Sequence, residues 1–377
     1  MLITILKFLP FILFMLVFLF GGHYFLYRSF VGLFGINDNT IKNVIFIVLF
    51  ALSVGIFLSM AIAHISQSWP ARLFYIITAS WLGIAMNLLL AALAIRLFIW
   101  LIKLTGANFN IPLFTVLIFL AALVFSAYGF WSAFHPQIKN INISIKNLPR
   151  EWQGKTIVQL SDIHLGHIHG AGFMQDVVDK TNAQNPDLIL ITGDLFDGMD
   201  GDLNVFIKPL NELRAKQGVF YVTGNHETYL GTNEALRILN QTHIRILNNK
   251  MIILDGLQII GLAYPEDNIT GKIVNESALL DSLNFDRTKP SILMYHAPAN
   301  MDQAGRSGIS LQLSGHAHKG QIWPFEFFTW LVYGQYSYGL HVIGDFSIYT
   351  AGGVGTWGPP MRTTGQPEIP VLRLNGG

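Results

Sequence analysis

The stretch Thr156–His164 has the sequence TIVQLSDIH, an apolar run of strand length that ends in an aspartate and a histidine. Apolar runs of four to eight residues between turn signals are typical of buried β-strands. Six such runs occur: Thr156–Leu160, Asp187–Thr192, Val219–Thr223, Leu257–Leu262, Ser291–Tyr295 and Ile309–Leu313. Between them, apolar residues at helical spacing predict helices over Phe173–Ala183, Val205–Lys216 and Glu234–Leu239. This alternation predicts an α/β fold with a central sheet.

Five of the six predicted strands end in residue types that bind metal ions. The endings are Ser161-Asp162-Ile163-His164, Gly193-Asp194-Leu195-Phe196-Asp197, Gly224-Asn225-His226-Glu227, Tyr295-His296-Ala297 and Ser314-Gly315-His316-Ala317-His318. Because open α/β sheets bind ligands at the carboxyl ends of their strands, we expect one shared site. Oxygen and imidazole ligands without thiolates suit Mn, Fe or Zn. The set is large enough for two ions that share one carboxylate, the usual arrangement for attack on phosphorus.

The glycines in these endings support a crowded site. Gly193, Gly224 and Gly315 each directly precede a ligand-type residue. A chain that leaves a strand there must turn sharply and bring its backbone close to whatever is bound, which glycine permits. We therefore expect a sharp turn at each of these three positions, with the backbone close to the bound group.

These motifs, in this order, resemble the calcineurin-like metallophosphoesterase superfamily over about residues 150–374. The tail from Gly353 to Ile369 and the connector ending Asn147-Leu148-Pro149 are similar to its membrane-associated branch. That branch includes transmembrane proteins with a metallophosphoesterase domain and the bacterial YkuE/YaeI-like phosphodiesterases. The resemblance implies a four-layer αββα domain, a β-sandwich flanked by helices. It leaves the substrate open, because members cleave monoesters, diesters and pyrophosphates.

The resemblance also implies a role for each motif residue. It implies that Asp194 bridges two metals, one held by Asp162, His164 and His318 and the other by Asn225, His296 and His316. It implies that His226 stabilises the phosphoryl group or acts as general acid to the leaving oxygen. Asp197 and Glu227 would then orient the ligands or His226. The expected reaction is attack of a metal-bound hydroxide on phosphorus.

The first 134 residues have a different composition from the rest of the chain. They carry six Lys or Arg and one acidic residue, whereas residues 135–377 carry 18 basic and 22 acidic residues. A bilayer core about 30 Å thick needs roughly 20 apolar residues in a helix. Four stretches meet this length: Phe8–Tyr27, Val44–Ile65, Leu73–Ile95 and Ile111–Phe134. We expect a four-helix membrane anchor over 1–134, a connector over 135–154 whose stretch Ile138–Ile145 pairs as an edge strand, and the phosphoesterase domain over 155–377.

The membrane stretches give few functional signals. Lys and Arg near the span ends number roughly five to four, which weakly favours a cytoplasmic location for the domain. Asn87 lies within a span, where an interhelical hydrogen bond is the commoner role. The spans have neither paired carboxylates nor matched Gly/Pro interruptions, so a transporter is disfavoured.

Three further features bear on the substrate. Arg362, in a Gly- and Pro-rich loop, is a candidate phosphate contact with a structural ion pair as an equal alternative, and Lys319 has the same two interpretations. The aromatic stretch Ile322–Tyr333 directly follows the last motif. It suits either a core element that covers the site or an interfacial segment that contacts lipid headgroups.

Composition excludes several classes of protein. The chain has no cysteine, which excludes disulfides and thiolate ligands, and its net charge of +1 gives no support to a nucleic-acid-binding face. The sequence therefore predicts a membrane-anchored dimetal phosphohydrolase, a phosphatase or phosphodiesterase, with a lipid-linked phosphoester or pyrophosphate favoured as substrate. A hydrolase of soluble phosphodiesters or nucleotides and a non-catalytic membrane sensor or scaffold remain alternatives.

Overall fold

Four long helices form the N-terminal part of the computed structural model, which describes residues 2–66, 68–198, 201–265 and 276–377. They are α1 (Leu2–Leu33), α2 (Asn39–Ile65), α3 (Trp69–Thr105) and α4 (Ile111–Ala133). Asp38 caps α2 by accepting a hydrogen bond from the Ile41 amide, and Gly106 ends α3 in the left-handed conformation. Each helix contains a stretch long and apolar enough to cross a membrane, so the prediction of four spans is confirmed.

Several buried polar groups of the helical unit find hydrogen-bond partners within the unit. It comprises residues 1–131 together with the short segment Gly358–Met361 from the C-terminal part of the chain. The Asn87 amide donates to the Ser126 hydroxyl at 2.9 Å, and the Ser59 and Thr78 hydroxyls lie 2.6 Å apart. The interhelical hydrogen bond expected of Asn87 is therefore present.

The second unit comprises residues 132–357 and 362–377, and its described residues form twelve strands in two six-stranded sheets. One sheet has the order β1 (Gln137–Ile145), β12 (Glu368–Gly376), β2 (Thr156–Leu160), β3 (Leu188–Thr192), β4 (Val219–Val222) and β5 (Arg245–Ile246). The other has the order β10 (Gly339–Ile343), β11 (Phe346–Thr350), β9 (Leu311–Ser314), β8 (Ser291–Met294), β7 (Leu257–Gly261) and β6 (Lys250–Leu254). The single central sheet expected from the residue pattern alone is thus replaced by two sheets, as the family resemblance implied. The expected edge strand is confirmed, because β1 pairs with β12 at the end of its sheet.

Apolar clusters hold the two sheets and their helices together. One cluster contains Ile157 and Phe220 from the first sheet and Ile292 and Leu311 from the second, so the sheets pack face to face. The outer faces carry the short helices: α5 (Ala171–Asn182), α6 (Ile207–Leu210) and α8 (Thr232–Leu239) on the first sheet, α9 (Glu276–Ser282) and α10 (Met301–Arg306) on the second. The result is four layers, αββα.

The helix predicted over Val205–Lys216 is shorter in the structure. A 3₁₀ turn over Leu203–Phe206 leads into α6, which ends at Leu210. Pro209 has no amide hydrogen to bond the carbonyl four residues earlier, so an α-helix starting at Val205 cannot continue through it.

Strand direction brings the candidate ligands to one edge. β2, β3 and β4 are parallel neighbours, and β7, β8 and β9 are parallel neighbours in the other sheet. Their carboxyl ends therefore lie side by side, and the loops that follow them converge.

Candidate metal centre

The loops after β2, β3, β4, β8 and β9 bring seven candidate ligands together. Three groups of side chains place one potential ligand atom each within 4.8 Å of the others. These groups are Asp162, His164 and His318; His164, Asp194 and His226; and Asp194, His296 and His316. Asn225 begins helix α7 (Asn225–Leu230) and adds an amide oxygen to the last group. Two of these three groups therefore share Asp194.

The first cluster consists of Asp162, His164 and His318, all buried. The Nε2 atoms of His164 and His318 lie 3.0 Å apart, and His318 Nε2 lies 3.2 Å from Asp162 Oδ1. Two imidazole nitrogens and a carboxylate oxygen thus face one another at short range. Such an arrangement suits a cation that accepts lone pairs from all three.

The second cluster consists of Asn225, His296 and His316. The Asn225 Oδ1 atom lies 2.7 Å from His316 Nδ1 and 3.1 Å from His296 Nε2. The other ring nitrogen of His296, Nδ1, donates to the Thr192 carbonyl at 2.8 Å. This bond fixes the tautomer and leaves Nε2 of a neutral His296 as a ligand atom.

Asp194 lies between the clusters. Its Oδ2 atom is 3.1 Å from His296 Nε2 in one cluster and 3.8 Å from His164 Nε2 in the other. Its Oδ1 atom accepts a hydrogen bond from the His226 amide at 2.9 Å, which fixes the carboxylate plane. One carboxylate in this position can contribute an oxygen to ions on both sides.

The electrostatics of the site fit cations. Burial lowers the pKa of His316 to about 4, and burial also lowers the pKa of His164 and His318, so these imidazoles are neutral at neutral pH. Burial would lower the pKa of His296 too, but the Asp194 carboxylate raises it to about 9. Because Asp194 Oδ2 lies 3.1 Å from His296 Nε2, this position favours positive charge, and a divalent ion bound there would compete with a proton on His296. The donor set of imidazoles, carboxylates and one amide fits Mn, Fe or Zn.

The ligands lie on strained backbone. Asp162, His164, Asp194, His316 and His318 all have positive φ angles, between 49° and 68°. This left-handed region is rare for residues other than glycine and costs of order 1 kcal/mol or more at each position. Strain of this kind clusters at functional sites, because the surrounding structure holds each side chain in a required direction.

The three glycines that precede ligands are needed for close approach. A Cβ at Gly224 would lie 2.2 Å from Asp194 Oδ1, and one at Gly193 would lie 2.6 Å from His296 Nδ1. A Cβ at Gly315 would lie 2.1 Å from Asp162 Oδ2. Each distance is far shorter than a van der Waals contact, so a side chain at any of the three would displace a candidate ligand.

Two buried carboxylates support the site from behind. Glu227 accepts hydrogen bonds from the amides of Gly224, Asp194 and Phe196 at 2.7–3.0 Å, so it ties the loop after β3 to the loop after β4. Asp197 lies with Oδ1 3.5 Å from His164 Nδ1, and burial raises the pKa of Asp197 to about 7. Both residues contact the loops that carry the candidate ligands.

His226 is oriented by its own hydrogen bonds. Its Nδ1 atom donates to the Asp197 carbonyl at 2.6 Å, which leaves Nε2 available for proton transfer. Burial would lower the pKa of His226, but the carboxylates of Asp194 and Asp197 outweigh burial and raise it. A histidine that holds its proton beside a phosphoryl group can supply it to a leaving oxygen.

Arg362 and Lys319 are the two candidate phosphate contacts, and they lie in different surroundings. Arg362 is fully buried; its guanidinium donates to the carbonyls of Gly352 and Gly355 at 2.6 and 2.8 Å, and one of its nitrogens lies 3.3 Å from His318 Nδ1. These partners use the guanidinium to hold the loop against His318, and the substrate contact stays a prediction. The Lys319 ammonium lies over the Tyr338 ring, 4.3 Å from its centroid.

Aromatic rings that the sequence analysis did not assign to the site surround it. The rings of Tyr264 and Tyr333 lie 6.0 and 5.9 Å from the His316 ring, and Trp357 lies 6.2 Å from His226. Tyr264 follows β7, the one predicted strand whose end carries no metal-ligand residue type. This position at the end of a strand was the sequence signal that could have identified Tyr264 as a site residue.

Comparison with known proteins places these observations in a family. Residues 155–320 match the family described as calcineurin-like phosphoesterase. An uncharacterized metallophosphoesterase of Campylobacter jejuni is 31% identical over 89% of this chain and 90% of its own length. A transmembrane protein with metallophosphoesterase domain from Danio rerio is 30% identical over 69% of this chain and 62% of its own length. The metallophosphoesterase YkuE of Bacillus subtilis is 31% identical over 66% of this chain and 89% of its own length.

Proposed function

The chain belongs to the calcineurin-like phosphoesterase family of metal-dependent phosphoesterases, and we propose that it is a membrane-anchored hydrolase that uses two divalent metal ions. The observation that carries this proposal is the pair of buried ligand clusters that share Asp194. In the proposed division, residues 1–134 anchor the protein and residues 155–377 form the hydrolytic domain. An Arg and Lys count that weakly favours the cytoplasm supports placing this domain there.

We assign the ligands cluster by cluster. Asp162, His164 and His318 would hold one ion, and Asn225, His296 and His316 the other, with Asp194 between them. The short contacts within each cluster and the fixed tautomer of His296 support this assignment. Manganese, iron and zinc all fit the donor set.

The protein's own residues position the substrate and move the proton. When bound, the two ions would lower the pKa of water and neutralise the phosphoryl oxygens. His226 would give its Nε2 proton to the leaving oxygen, while the Asp197 carbonyl holds its ring in place. Glu227 and Asp197 would keep the ligand loops fixed, so that little reorganisation is needed during the reaction.

A lipid-linked phosphoester or pyrophosphate is the substrate class we favour. The four candidate spans keep the domain at a bilayer, and the aromatic stretch Ile322–Tyr333 directly follows the last ligand motif. A soluble nucleotide or phosphodiester would need neither feature. Hydrolysis of soluble esters is the second candidate, and ligand binding without turnover is the third.

The test is hydrolysis by the purified full chain with Mn²⁺ and with a chelator. The panel contains a soluble phosphodiester, a soluble phosphomonoester, a nucleotide-linked lipid pyrophosphate and a phospholipid. We expect metal-dependent turnover that favours the lipid-linked members. Turnover of the soluble esters alone would support the second candidate, and binding of metal without any turnover would support the third.

A variant pair in the same assay tests the role of His226. We expect His226→Ala to keep both metals and to lower kcat by about 10²–10⁴-fold, the usual contribution of a general acid. His243→Ala is the matched control, because His243 is exposed and bonds Asn211. Normal turnover by His226→Ala would contradict the assigned role.

A further inference from the structure

Helix α11 (Phe325–Tyr333) exposes apolar side chains around its whole circumference. None of its nine residues is buried, and it carries a single charge, on Glu326. Phe327, Phe328, Trp330, Leu331 and Val332 are each between 53% and 71% exposed. A helix on the surface of a water-soluble domain buries one face and exposes polar residues on the other. This helix does neither, so its exposed surface requires an apolar partner.

Both ends of α11 lie against residues of the candidate metal centre. At its start, a Cβ on Gly320 would lie 2.1 Å from the Glu326 amide nitrogen, so α11 begins against the turn that carries His318. At its end, the Tyr333 ring packs edge-on against the ring of His316 at 5.9 Å. Whatever covers α11 therefore lies next to the candidate ligands.

The residues just before α11 are also hydrogen-bonded to residues that flank a short segment of the helical unit. The Gln321 side chain bonds both the amide and the carbonyl of Trp357, and the Trp323 amide donates to the Thr363 hydroxyl. Between Trp357 and Thr363 lies Gly358–Met361, which groups with the four long helices. The residues before α11 are thus hydrogen-bonded to the two residues that flank this segment.

We propose that α11 lies in the headgroup region of the bilayer that holds the four spans. In this position it gives a phosphoester whose acyl chains stay in the lipid access to the metal centre. The part on substrate access rests on the proposed function, whereas the membrane contact does not. Tryptophan and phenylalanine on a short, nearly uncharged helix are the composition that favours the membrane interface. The four candidate membrane spans in the same chain favour a bilayer over a second copy of the chain as the partner.

The membrane contact can be measured without an activity assay. Because the chain contains no cysteine, a single introduced cysteine can be labelled specifically. Phe327→Cys and Leu331→Cys, each labelled with an environment-sensitive fluorophore, are reconstituted as full chains in phosphatidylcholine vesicles. Ile253→Cys and Val205→Cys are matched controls, since both side chains are exposed on other elements. We expect blue-shifted emission at 327 and 331, quenched by spin labels on the acyl chains about 5–10 Å below the headgroups.

Two results would overturn the membrane contact. One is emission at 327 and 331 equal to that at 253 and 205. The other is a blue shift that grows with protein concentration and is insensitive to the lipid quenchers, since it would show that a second copy covers α11.

The access step is tested with Phe327→Glu and Leu331→Glu. We expect kcat/KM on a phospholipid ester in vesicles to fall by about tenfold, because a charge is expelled from the interface, while a soluble aryl phosphodiester is hydrolysed within about twofold of the original rate. Equal losses on both esters, or no loss on either, would overturn the access step. Absence of metal-dependent turnover by the unsubstituted chain, with lipid quenching intact, would instead contradict the proposed function.

Discussion

The helical unit and the metal centre bury polar groups in opposite ways. In the helical unit, buried hydroxyls such as Ser59 pair across helices and within their own helix: Ser59 bonds Thr78 and also donates to the Ile56 carbonyl. At the metal centre, Asp194 and the nearby imidazoles place their potential ligand atoms within 4.8 Å of one another. Lipid tolerates only groups whose bonds are completed within the protein. Buried carboxylates and imidazoles whose ligand atoms face one another therefore mark a position where a cation can bind.

This difference separates anchoring from chemistry within one chain. A substitution at the metal centre should remove activity, whereas a substitution in the helical unit should change stability slightly and leave activity intact. Three substitutions, taken from the largest expected effect to the smallest, can break or sharpen this contrast.

Asp194→Asn should have the largest effect. The change keeps the shape of the side chain but removes the charge that lies between both ligand clusters. We expect a loss in kcat of about a thousandfold or more, equivalent to about 4 kcal/mol, with weaker binding of both metals. Turnover assays and elemental analysis of metal content measure the two effects.

The control for this prediction is Asp345→Asn. Asp345 pairs with Lys146 on the surface, and its side chain is 74% exposed. The same chemical change there should alter neither turnover nor metal content. Two bound metals and normal turnover in Asp194→Asn would show that the shared position is wrongly assigned.

Arg362→Met should have an intermediate effect, mainly on stability. The substitution leaves the carbonyls of Gly352 and Gly355 buried without their donor, which should destabilise the protein by about 3 kcal/mol. Thermal unfolding measures this loss, and Arg362→Lys should recover part of it. Since the guanidinium holds the loop beside His318, we expect kcat to fall about tenfold with KM unchanged. A raised KM with unchanged stability would instead indicate a substrate contact.

The case of Arg362 shows where sequence-based prediction ends. Positions of the ligand motifs could be predicted, because each follows a local apolar run and the carboxyl ends of parallel strands meet. A charged residue in a Gly- and Pro-rich loop gives no local signal of burial, since the carbonyls that surround Arg362 belong to a loop whose path depends on the whole fold. Strand β12 was missed for a similar reason: its partners, β1 and β2, are more than 200 residues earlier in the chain.

The apolar stretch that forms α11 illustrates a second limit. A run such as Phe325–Tyr333 is equally compatible with a buried helix, a buried strand or an interfacial segment, because periodicity does not report what covers it. The structure shows a helix without a buried residue. It also shows that the residue pattern underestimated the number of sheets, because spacing along the chain does not reveal which strands pair.

Asn87→Leu should have the smallest effect and tests the helical side of the comparison. The Asn87 amide donates to the Ser126 hydroxyl, but that hydroxyl itself donates to the Ala122 carbonyl, so its loss leaves no buried donor unsatisfied. Hydrogen bonds between membrane helices contribute about 0.6 kcal/mol on average, and we expect a stability loss below about 1 kcal/mol. Turnover should stay within about twofold. Ser126→Ala, which leaves the buried Asn87 amide without this acceptor, should cost more stability than Asn87→Leu and leave turnover equally unchanged. A tenfold loss of turnover with unchanged stability would show that the helices take part in substrate handling, and the separation of anchor from chemistry would then be wrong.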